Sequence, residues 1–339
     1  MKEAEFYETI DRESGLVRCN LCNHRCRIKN NGCGICRVRE NRDGHLVSLV
    51  YGHLISENVD PIEKKPIFHL LPGSLSMSIA TVGCNFRCLH CQNYDISQYP
   101  RQNGELPPGR TRTPQQVVEA ALRLGCKSIS YTYIEPTIFF EFAYETAALA
   151  REAGLKNIFV SNGYTSAEAT RKLAPVLDAN NIDLKAFTEK FYKDVCGARL
   201  APVLATIRLM KELGVWVEVT TLIIPGWNDS DQELRAMAEF IKDVDPTMPW
   251  HVTRFHPTYK MTDRPATPVA TLRRARDIGL EAGLDYVYEG NVPGEGGENT
   301  YCPGCGEVII RRFGFQANTD NLLNGACRNC HRPLAGIFT

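Results

Sequence analysis

The feature that most constrains the fold is a regular alternation of strand and helix patterns between residues 75 and 290. Helical stretches separate seven strand candidates, which are Ser76–Val82, Ser128–Tyr133, Asn157–Ser161, Asn180–Leu184, Trp216–Ile223, Trp250–Phe255 and the short Tyr286–Tyr288. Repeats of this kind predict a parallel α/β sheet. Six full units are too few for a closed eight-fold barrel, so a partial barrel or a doubly wound sheet fits. In both, reactive loops follow the carboxyl ends of the strands.

Several helices have recognisable start signals. A Ser or Thr followed three residues later by Glu or Gln predicts a capping box, and proline is favoured at the first helical position. These signals predict helix starts at Thr113-Pro114 with Gln116, at Thr165 with Glu168, at Ser230 with Glu233, and at Thr267-Pro268.

The alternation of polar and apolar residues predicts which strand faces point inward. Asp183 and Lys185 alternate with apolar neighbours, and so do Glu218 and Thr220. Since side chains alternate between the faces of a strand, each pair shares one face. The strand at 250–255 is ambiguous, because either His251 and Thr253 or Arg254 and His256 satisfy the same rule.

Charge and hydropathy exclude several classes of protein. Lys plus Arg and Asp plus Glu both number 39, so the formal net charge is zero and a nucleic-acid partner is not expected. The start, MKEAEFYETIDRE, lacks the apolar region of a signal peptide. The chain has no run of 18 apolar residues, so no membrane span is predicted. We therefore expect a cytoplasmic protein with no membrane partner.

Cysteine is unusually frequent, with 14 residues. In a reducing cytosol, clustered cysteines are more often metal ligands or catalysts than disulfides. Twelve fall into three groups, which are Cys19, Cys22, Cys26, Cys33 and Cys36, then Cys84, Cys88 and Cys91, then Cys302, Cys305, Cys327 and Cys330. The two isolated residues, Cys126 and Cys196, are expected to pack as small apolar side chains.

The C-terminal group has two C-x2-C knuckles, Cys302 with Cys305 and Cys327 with Cys330. Paired knuckles of this kind predict a closed tetrahedral zinc ribbon. The alternatives are a rubredoxin-like iron and an auxiliary iron–sulfur cluster.

The N-terminal group has five cysteines, of which four could hold one zinc ion or one auxiliary [4Fe–4S] cluster, with one to spare.

The central group follows the first strand with the spacing C-x3-C-x2-C. Cubane clusters use four cysteine thiolates, but only three are local here. Cys126 is a poor fourth ligand, because it precedes the second strand and belongs at the opposite end of the sheet. Three cysteines leave one iron open, as catalysis requires. We take Cys84, Cys88 and Cys91 as the catalytic metal ligands.

This spacing, in this loop of a βα protein, resembles the radical S-adenosylmethionine (SAM) superfamily. The resemblance implies a partial parallel (β/α)6 barrel and a [4Fe–4S] cluster whose open iron binds SAM. It also implies reductive cleavage of SAM to a 5′-deoxyadenosyl radical, which abstracts hydrogen from a substrate. A low-potential electron donor, flavodoxin or ferredoxin, is expected.

The resemblance implies a set of SAM-binding residues. In this family pattern Glu135 holds the amino group, Ser161 and Asn162 lie near the ribose, Lys185 beside Asp183 meets the carboxylate, Gly226 and His90 contact adenine, and His256 approaches SAM. Ordinary structural roles are the alternatives. Glu135 would be an acid at a helix start, Ser161 and Asn162 part of a turn, and Asp183 with Lys185 a salt bridge.

A closer resemblance covers nearly the whole chain. Segments such as NVDPIEKKPIFHLLPGS, TVGCNFRCLHCQNYDISQ, YTYIEPTIF and YVYEGNVPGEGGENTYCPGCG are similar to the AmmeMemoRadiSam-system radical SAM enzymes, often described as pyruvate formate-lyase-activating-enzyme-like. That resemblance implies AMMECR- and Memo-type partner proteins. The domains would be a Cys-rich segment followed by a β pair over His45–Ser56 (1–74), the barrel (75–290) and a zinc-ribbon-like module (291–339).

Three functional hypotheses follow. The chain is an enzyme acting on a small molecule or partner of that system, a glycyl-radical-enzyme activase, or a non-catalytic zinc- or iron-binding protein that recruits partners. SAM cleavage by the reduced protein separates the third hypothesis from the other two.

Overall fold

The computed structural model, which describes residues 1–339, is built around one eight-stranded sheet. We number its seven parallel strands in chain order: β1 Leu75–Ala80, β2 Ser128–Tyr131, β3 Lys156–Ser161, β4 Ala179–Asp183, β5 Trp216–Ile223, β6 Trp250–Arg254 and β7 Val287–Gly290. Consecutive strands are neighbours, so the order follows the chain. The parallel sheet predicted from the alternation is confirmed.

Two parts of the sheet differ from the sequence expectation. β7 is a full member of the sheet, because it pairs in parallel with β6 and places Val287 opposite Trp250. The eighth strand, Ser56–Pro61, pairs antiparallel with β1 at the other edge. The β pair expected over His45–Ser56 is wrong, because His45–Ser48 pairs with Arg39–Arg42 and the next segment, His53–Leu54, pairs with Arg110–Thr111.

Six helices cross over between the parallel strands: α1 Pro114–Arg123, α2 Phe140–Glu152, α3 Ala167–Leu173, α4 Leu200–Glu212, α5 Asp231–Val244 and α6 Val269–Glu281. Thr113 forms the expected capping box with Gln116, and Ser230 caps α5. The cap of α3 is Ser166, not Thr165, one residue later than expected. None of the helices has the length and apolar character that crossing a membrane requires.

Thr267 does not cap α6, which begins at Val269 after Pro268. Its hydroxyl donates instead to the carbonyl of Ile223 at 2.6 Å and accepts from the N–H of Phe255 at 2.9 Å. It therefore joins the loops that follow β5 and β6.

The N-terminal segment packs into the same core as the sheet. Its short strands are Lys2–Glu3, Tyr7–Asp11, Leu16–Cys19, Arg27–Ile28, Arg39–Arg42 and His45–Ser48. Val17, Val38 and Leu46 are fully buried in one cluster with Ile79 of β1 and Val219 of β5. Burial of this apolar surface stabilises the position of the N-terminal cysteines against the sheet.

The C-terminal segment has a small core of its own and is anchored by polar contacts. Its strands are Thr300–Tyr301, Val308–Phe313, Gln316–Asn318, Leu322–Leu323 and Ala326–Cys327. Arg312 is buried and donates to the carbonyl of Phe68 at 2.8 Å. His69 Nδ1 lies 2.7 Å from the carbonyl of Ala335. These contacts join the segment to the chain preceding β1.

Candidate active site

One cavity, of about 700 Å³, lies among the parallel strands and the loops that follow them. This volume is within the usual range for small-molecule sites. Most of the residues predicted for the central site line it, namely Cys84, Cys88, His90, Cys91, Glu135, Ser161, Asn162, Asp183 and Lys185. Gly226 and His256 do not line it, and both are exposed. The structure therefore brings together nine of the predicted residues and leaves two outside.

The three central thiols share one wall of the cavity. The Cys84 sulfur accepts from the backbone N–H of Phe86 at 3.4 Å, and the Cys91 sulfur lies 3.3 Å from the hydroxyl of Ser97. Burial raises the pKa of Cys84 well above its usual value, and the nearby charges of Glu135 and Cys88 add to this. Metal binding would therefore displace protons from these thiols.

The cysteine loop is held by an irregular helix that the sequence did not predict. Residues Tyr192–Cys196 form a π-helix, a feature often found at functional sites. The carbonyl of Cys196 accepts from the N–H of Arg87 at 2.8 Å. A hydrogen bond with Cys196, together with burial, raises the pKa of Cys88. Cys196 is thus a neighbour of the site rather than an isolated packing residue.

Lys185 supplies a fixed positive charge beside the cysteine loop. Its Nζ donates to Oδ2 of Asp183 at 2.7 Å, so the two side chains meet on one face. Burial alone would lower the pKa of Lys185, but the carboxylate of Asp183 and the thiols of Cys88 and Cys196 raise it well above its usual value. The ammonium group stays charged, as recognition of an anionic ligand group requires.

Glu135 joins the loops after β2 and β3. Its Oε1 accepts from the N–H of Thr137 at 3.0 Å and from the hydroxyl of Ser161 at 3.0 Å, and its Oε2 accepts from the N–H of Asn162 at 2.7 Å. Asn162 in turn donates to Oδ1 of Asn85 at 2.8 Å. This network connects Glu135 to the residue after Cys84 and fixes the cavity wall.

Tyr133 begins the segment Tyr133-Ile134-Glu135-Pro136, which resembles the Gly-Gly-Glu-Pro motif of the superfamily and has tyrosine in place of its first glycine. Its φ is 65°, in the left-handed region that glycine adopts without cost. For a residue with a Cβ this conformation costs roughly 1–2 kcal/mol. The loop after β2 therefore holds Tyr133 in a backbone conformation that glycine adopts without strain.

The histidine side chains resolve the ambiguity of β6. His251 and Thr253 line the cavity, whereas Arg254 and His256 do not. His251 Nε2 lies 2.7 Å from Oε2 of the buried Glu218. On the cysteine loop, burial and the charge of Lys185 lower the pKa of His90 to about 3, so its ring is neutral.

Lys65 also lines the cavity, although the sequence analysis gave it no role beyond its place in the segment NVDPIEKKPIFHLLPGS. Lys65 is 1% exposed and donates to Oδ2 of Asp60 at 2.6 Å, and the hydroxyl of Tyr133 bonds the same carboxylate. Burial lowers the pKa of Lys65 to about 8. The chain before β1 is outside the strand–helix alternation, so no periodicity predicts that Lys65, the partner of Asp60, lines the cavity.

Several buried polar atoms in the cavity lining have no hydrogen-bond partner: His90 Nδ1, Asn181 Oδ1, Thr220 Oγ1 and Glu289 Oε2. Buried polar groups are normally satisfied, so unpaired ones mark places for water or a ligand. Three thiols, a charged lysine and these unpaired atoms fit an iron–sulfur cluster with a polar organic cofactor beside it.

The C-terminal cysteines form a compact set. The sulfurs of Cys302, Cys305, Cys327 and Cys330 all lie within 4.8 Å of one another, with Cys302 and Cys330 at 3.5 Å. A zinc ion with bonds of about 2.3 Å in a tetrahedron would separate its sulfurs by about 3.8 Å. No other set of three or more such side chains is this compact. The central and N-terminal cysteines are more widely spaced.

Comparison with known proteins agrees with this geometry. The sequence model of the radical SAM superfamily matches residues 78–241, which run from β1 into α5. The cysteine loop and the loops after β2, β3 and β4 lie within this range. The chain belongs to the radical SAM superfamily.

Individual relatives support this assignment. An uncharacterised protein of Methanocaldococcus jannaschii is 50% identical over 323 residues, which cover 95% of each chain. The pyruvate formate-lyase-activating enzyme of Streptococcus mutans is 25% identical over 185 residues, 51% of this chain and 68% of that enzyme. Streptococcus suis SuiB bound to its precursor peptide SuiA is 14% identical with a TM-score of 0.51, covering 69% of this chain and 52% of SuiB. The last likeness is one of fold alone.

Proposed function

We propose that the chain cleaves SAM reductively and uses the product to remove a hydrogen atom from a substrate. A [4Fe–4S] cluster on Cys84, Cys88 and Cys91, with SAM on its open iron, would supply this chemistry. The observation that carries the proposal is that one cavity contains these three thiols together with the charged Lys185.

The lining residues have distinct roles in this proposal. Lys185, held by Asp183, binds the SAM carboxylate. The carboxylate of Glu135 already accepts from Thr137, Ser161 and Asn162, so it positions the loops that surround the SAM amino group and ribose. Neutral His90 packs against the adenine. SAM contacts of Gly226 and His256 stay predictions that require loop movement, because both residues are outside the cavity lining.

We also propose that the sheet curves around the cavity as a partial barrel. Residues from β3, β4, β5, β6 and β7 or their ends line the same space. The barrel unit would be 75–290, preceded by the Cys-rich unit 1–74 and followed by the zinc-ribbon-like unit 291–339. Reduced flavodoxin or ferredoxin is the proposed electron donor. AMMECR- and Memo-type proteins are the proposed partners.

A second candidate, activation of a glycyl-radical enzyme, is supported by the relatives among pyruvate formate-lyase-activating enzymes. The two candidates share the SAM cleavage step and differ in the substrate. A glycyl-radical signal in electron paramagnetic resonance (EPR), on a co-incubated glycyl-radical enzyme, would favour the second candidate.

The test is anaerobic reconstitution with iron and sulfide, reduction with dithionite, and mass-spectrometric measurement of methionine and 5′-deoxyadenosine. We expect both products from the wild type and none from a Cys84→Ala/Cys88→Ala/Cys91→Ala variant. Cys126→Ala, at a buried cysteine outside the cavity, is the matched control and should retain cleavage. A reconstituted wild type that holds its cluster and does not cleave SAM would contradict the proposal and favour the non-catalytic hypothesis.

A further inference from the structure

The N-terminal cysteines form a second site with features of the central one. The thiol of Cys22 lies close to those of Cys19, Cys26 and Cys36, and all four side chains are buried or half-buried. Cys33 is set apart, since its charged neighbours are Glu40, Arg37 and Arg42. The backbone N–H of Cys19 donates to the carbonyl of Cys26 at 2.9 Å, whereas Cys33 pairs with Glu40 in a β-bridge, so four of the five cysteines lie together.

Backbone amides act on two of the thiols in this set. The N–H groups of His24 and Val38 lower the pKa of the Cys22 and Cys36 thiols, against the larger effect of burial, and each lies two residues further along the chain. The N–H of Phe86 is related in the same way to Cys84. Amide hydrogen bonds to sulfur stabilise the negative charge of metal-bound thiolates and tune iron–sulfur clusters. No amide faces Cys33 in this way.

A buried cation beside the set has an unused donor. Arg39 is 1% exposed, its Nη2 pairs with Glu141, and its Nη1 has no partner. Cys19 and Cys36 are among the charges that act on this guanidinium. A cluster with four thiolates is negatively charged, so it would accept the free N–H of Arg39, whose charge already pairs with Glu141.

The spacing of the sulfurs distinguishes a cluster from a single ion. The sulfurs of the C-terminal set are close enough together to bind one tetrahedral ion, whereas the sulfurs of the N-terminal and central sets are too far apart. Thiolates that bind different irons of a cubane lie farther apart than thiolates that share one zinc ion. We propose that Cys19, Cys22, Cys26 and Cys36 bind a second [4Fe–4S] cluster and that Cys33 is not a ligand.

This second site adjoins the catalytic loop. The carbonyl of Cys36 would lie 2.8 Å from a Cβ on Gly83, so only glycine fits before Cys84. Nη2 of Arg101 donates to the carbonyl of Ile35 at 2.7 Å, and Nη1 donates to Oε1 of Gln98. The two loops are therefore held together directly, and the two clusters would be neighbours.

The test counts iron in a chain that lacks the catalytic ligands. After anaerobic reconstitution, the Cys84→Ala/Cys88→Ala/Cys91→Ala variant should retain about four iron atoms per chain, with an EPR signal after reduction. Adding Cys22→Ser and Cys26→Ser should remove this iron, whereas adding Cys33→Ser should not. Circular dichroism identifies any variant that fails to fold. If a variant fails to fold, the iron content of the wild type decides instead, and two [4Fe–4S] clusters predict about eight iron atoms per chain.

Zinc content provides the opposing outcome. We expect one zinc per chain, at the C-terminal set. Two zinc ions per chain, with no iron left in the catalytic triple variant, would overturn the proposal, and so would loss of iron on adding Cys33→Ser alone. The iron count does not depend on SAM cleavage, so it stands or fails separately from the proposed function.

Discussion

The backbone N–H of Asn162 donates a 2.7 Å hydrogen bond to Oε2 of Glu135, which ties the loop after β3 to the loop after β2. All of the carboxylate's partners are donors, because Oε1 accepts from Thr137 and Ser161. The side chain is 3% exposed, so water cannot replace a lost partner. Only a side chain that accepts hydrogen bonds at both of these positions satisfies the surrounding donors.

Glu135→Gln should therefore destabilise the protein. Whichever way the amide is turned, its NH2 group faces an N–H or hydroxyl donor and leaves it unpaired, which costs about 1–3 kcal/mol. The measurement is the unfolding midpoint in urea, compared with Glu119→Gln, which alters an exposed glutamate of α1. Equal midpoints in the two variants would mean that the carboxylate does not hold the loops.

Lys185 provides a prediction for cofactor binding. Lys185→Met keeps the length of the side chain and removes its charge, so SAM affinity should fall by about 1.5–3 kcal/mol, roughly ten- to a hundredfold. Anaerobic equilibrium dialysis with SAM measures this, with Lys193→Met, at an exposed lysine, as the control. Unchanged affinity would reduce the Lys185–Asp183 pair to a structural salt bridge.

The sequence predicted the parts of the fold that follow a local period. The alternation of strands and helices predicted the parallel sheet, and period two predicted that Asp183 and Lys185 meet. The C-x3-C-x2-C spacing placed Cys84, Cys88 and Cys91 in one loop. Each of these properties depends on residues close together in the chain.

Long-range pairings were not predictable in this way. The strand Ser56–Pro61 carries no signal for pairing with β1, and the contact between Cys88 and Cys196 depends on a π-helix that no sequence rule identifies. His256 was assigned by motif position alone, and the register of β6 points His251 inward instead. The position of Lys65 in the cavity wall, where it pairs with Asp60, is a product of tertiary packing.

Glu218 makes stability depend on pH. Burial raises the pKa of this carboxyl, but His251 at 2.7 Å and the charge of His69 outweigh that effect and hold it at about 2, against an ordinary value of 4.5. Because the folded-state pKa is the lower one, the stabilisation is present above pH 4.5 and is lost as the pH falls towards 2. Its full size is on the order of 3 kcal/mol.

Unfolding free energies between pH 7 and pH 3 should fall more steeply for the wild type than for Glu218→Gln, which has no proton to bind there. Glu239→Gln, at an exposed position of α5, should keep the wild-type slope. Parallel curves for wild type and Glu218→Gln would show that acid instability arises elsewhere, for example from loss of metal.

The C-terminal set should hold one zinc ion that folds the tail. Its four sulfurs already have the spacing of a tetrahedral site, and the small core around Ile309 and Ile310 buries too little apolar surface to be stable alone. Cys327→Ser/Cys330→Ser should therefore lose about one zinc per chain and become protease-sensitive after residue 300, whereas Cys33→Ser should do neither. SAM cleavage without substrate should largely survive, because the cysteines proposed to carry it lie on the loop after β1. Gly314 and Phe315 also line the cavity, so turnover of a bound substrate should fall more than cleavage of SAM alone. Inductively coupled plasma mass spectrometry measures the zinc and iron content of each variant. A Cys327→Ser/Cys330→Ser variant that keeps its zinc and loses iron instead would show that the set binds iron.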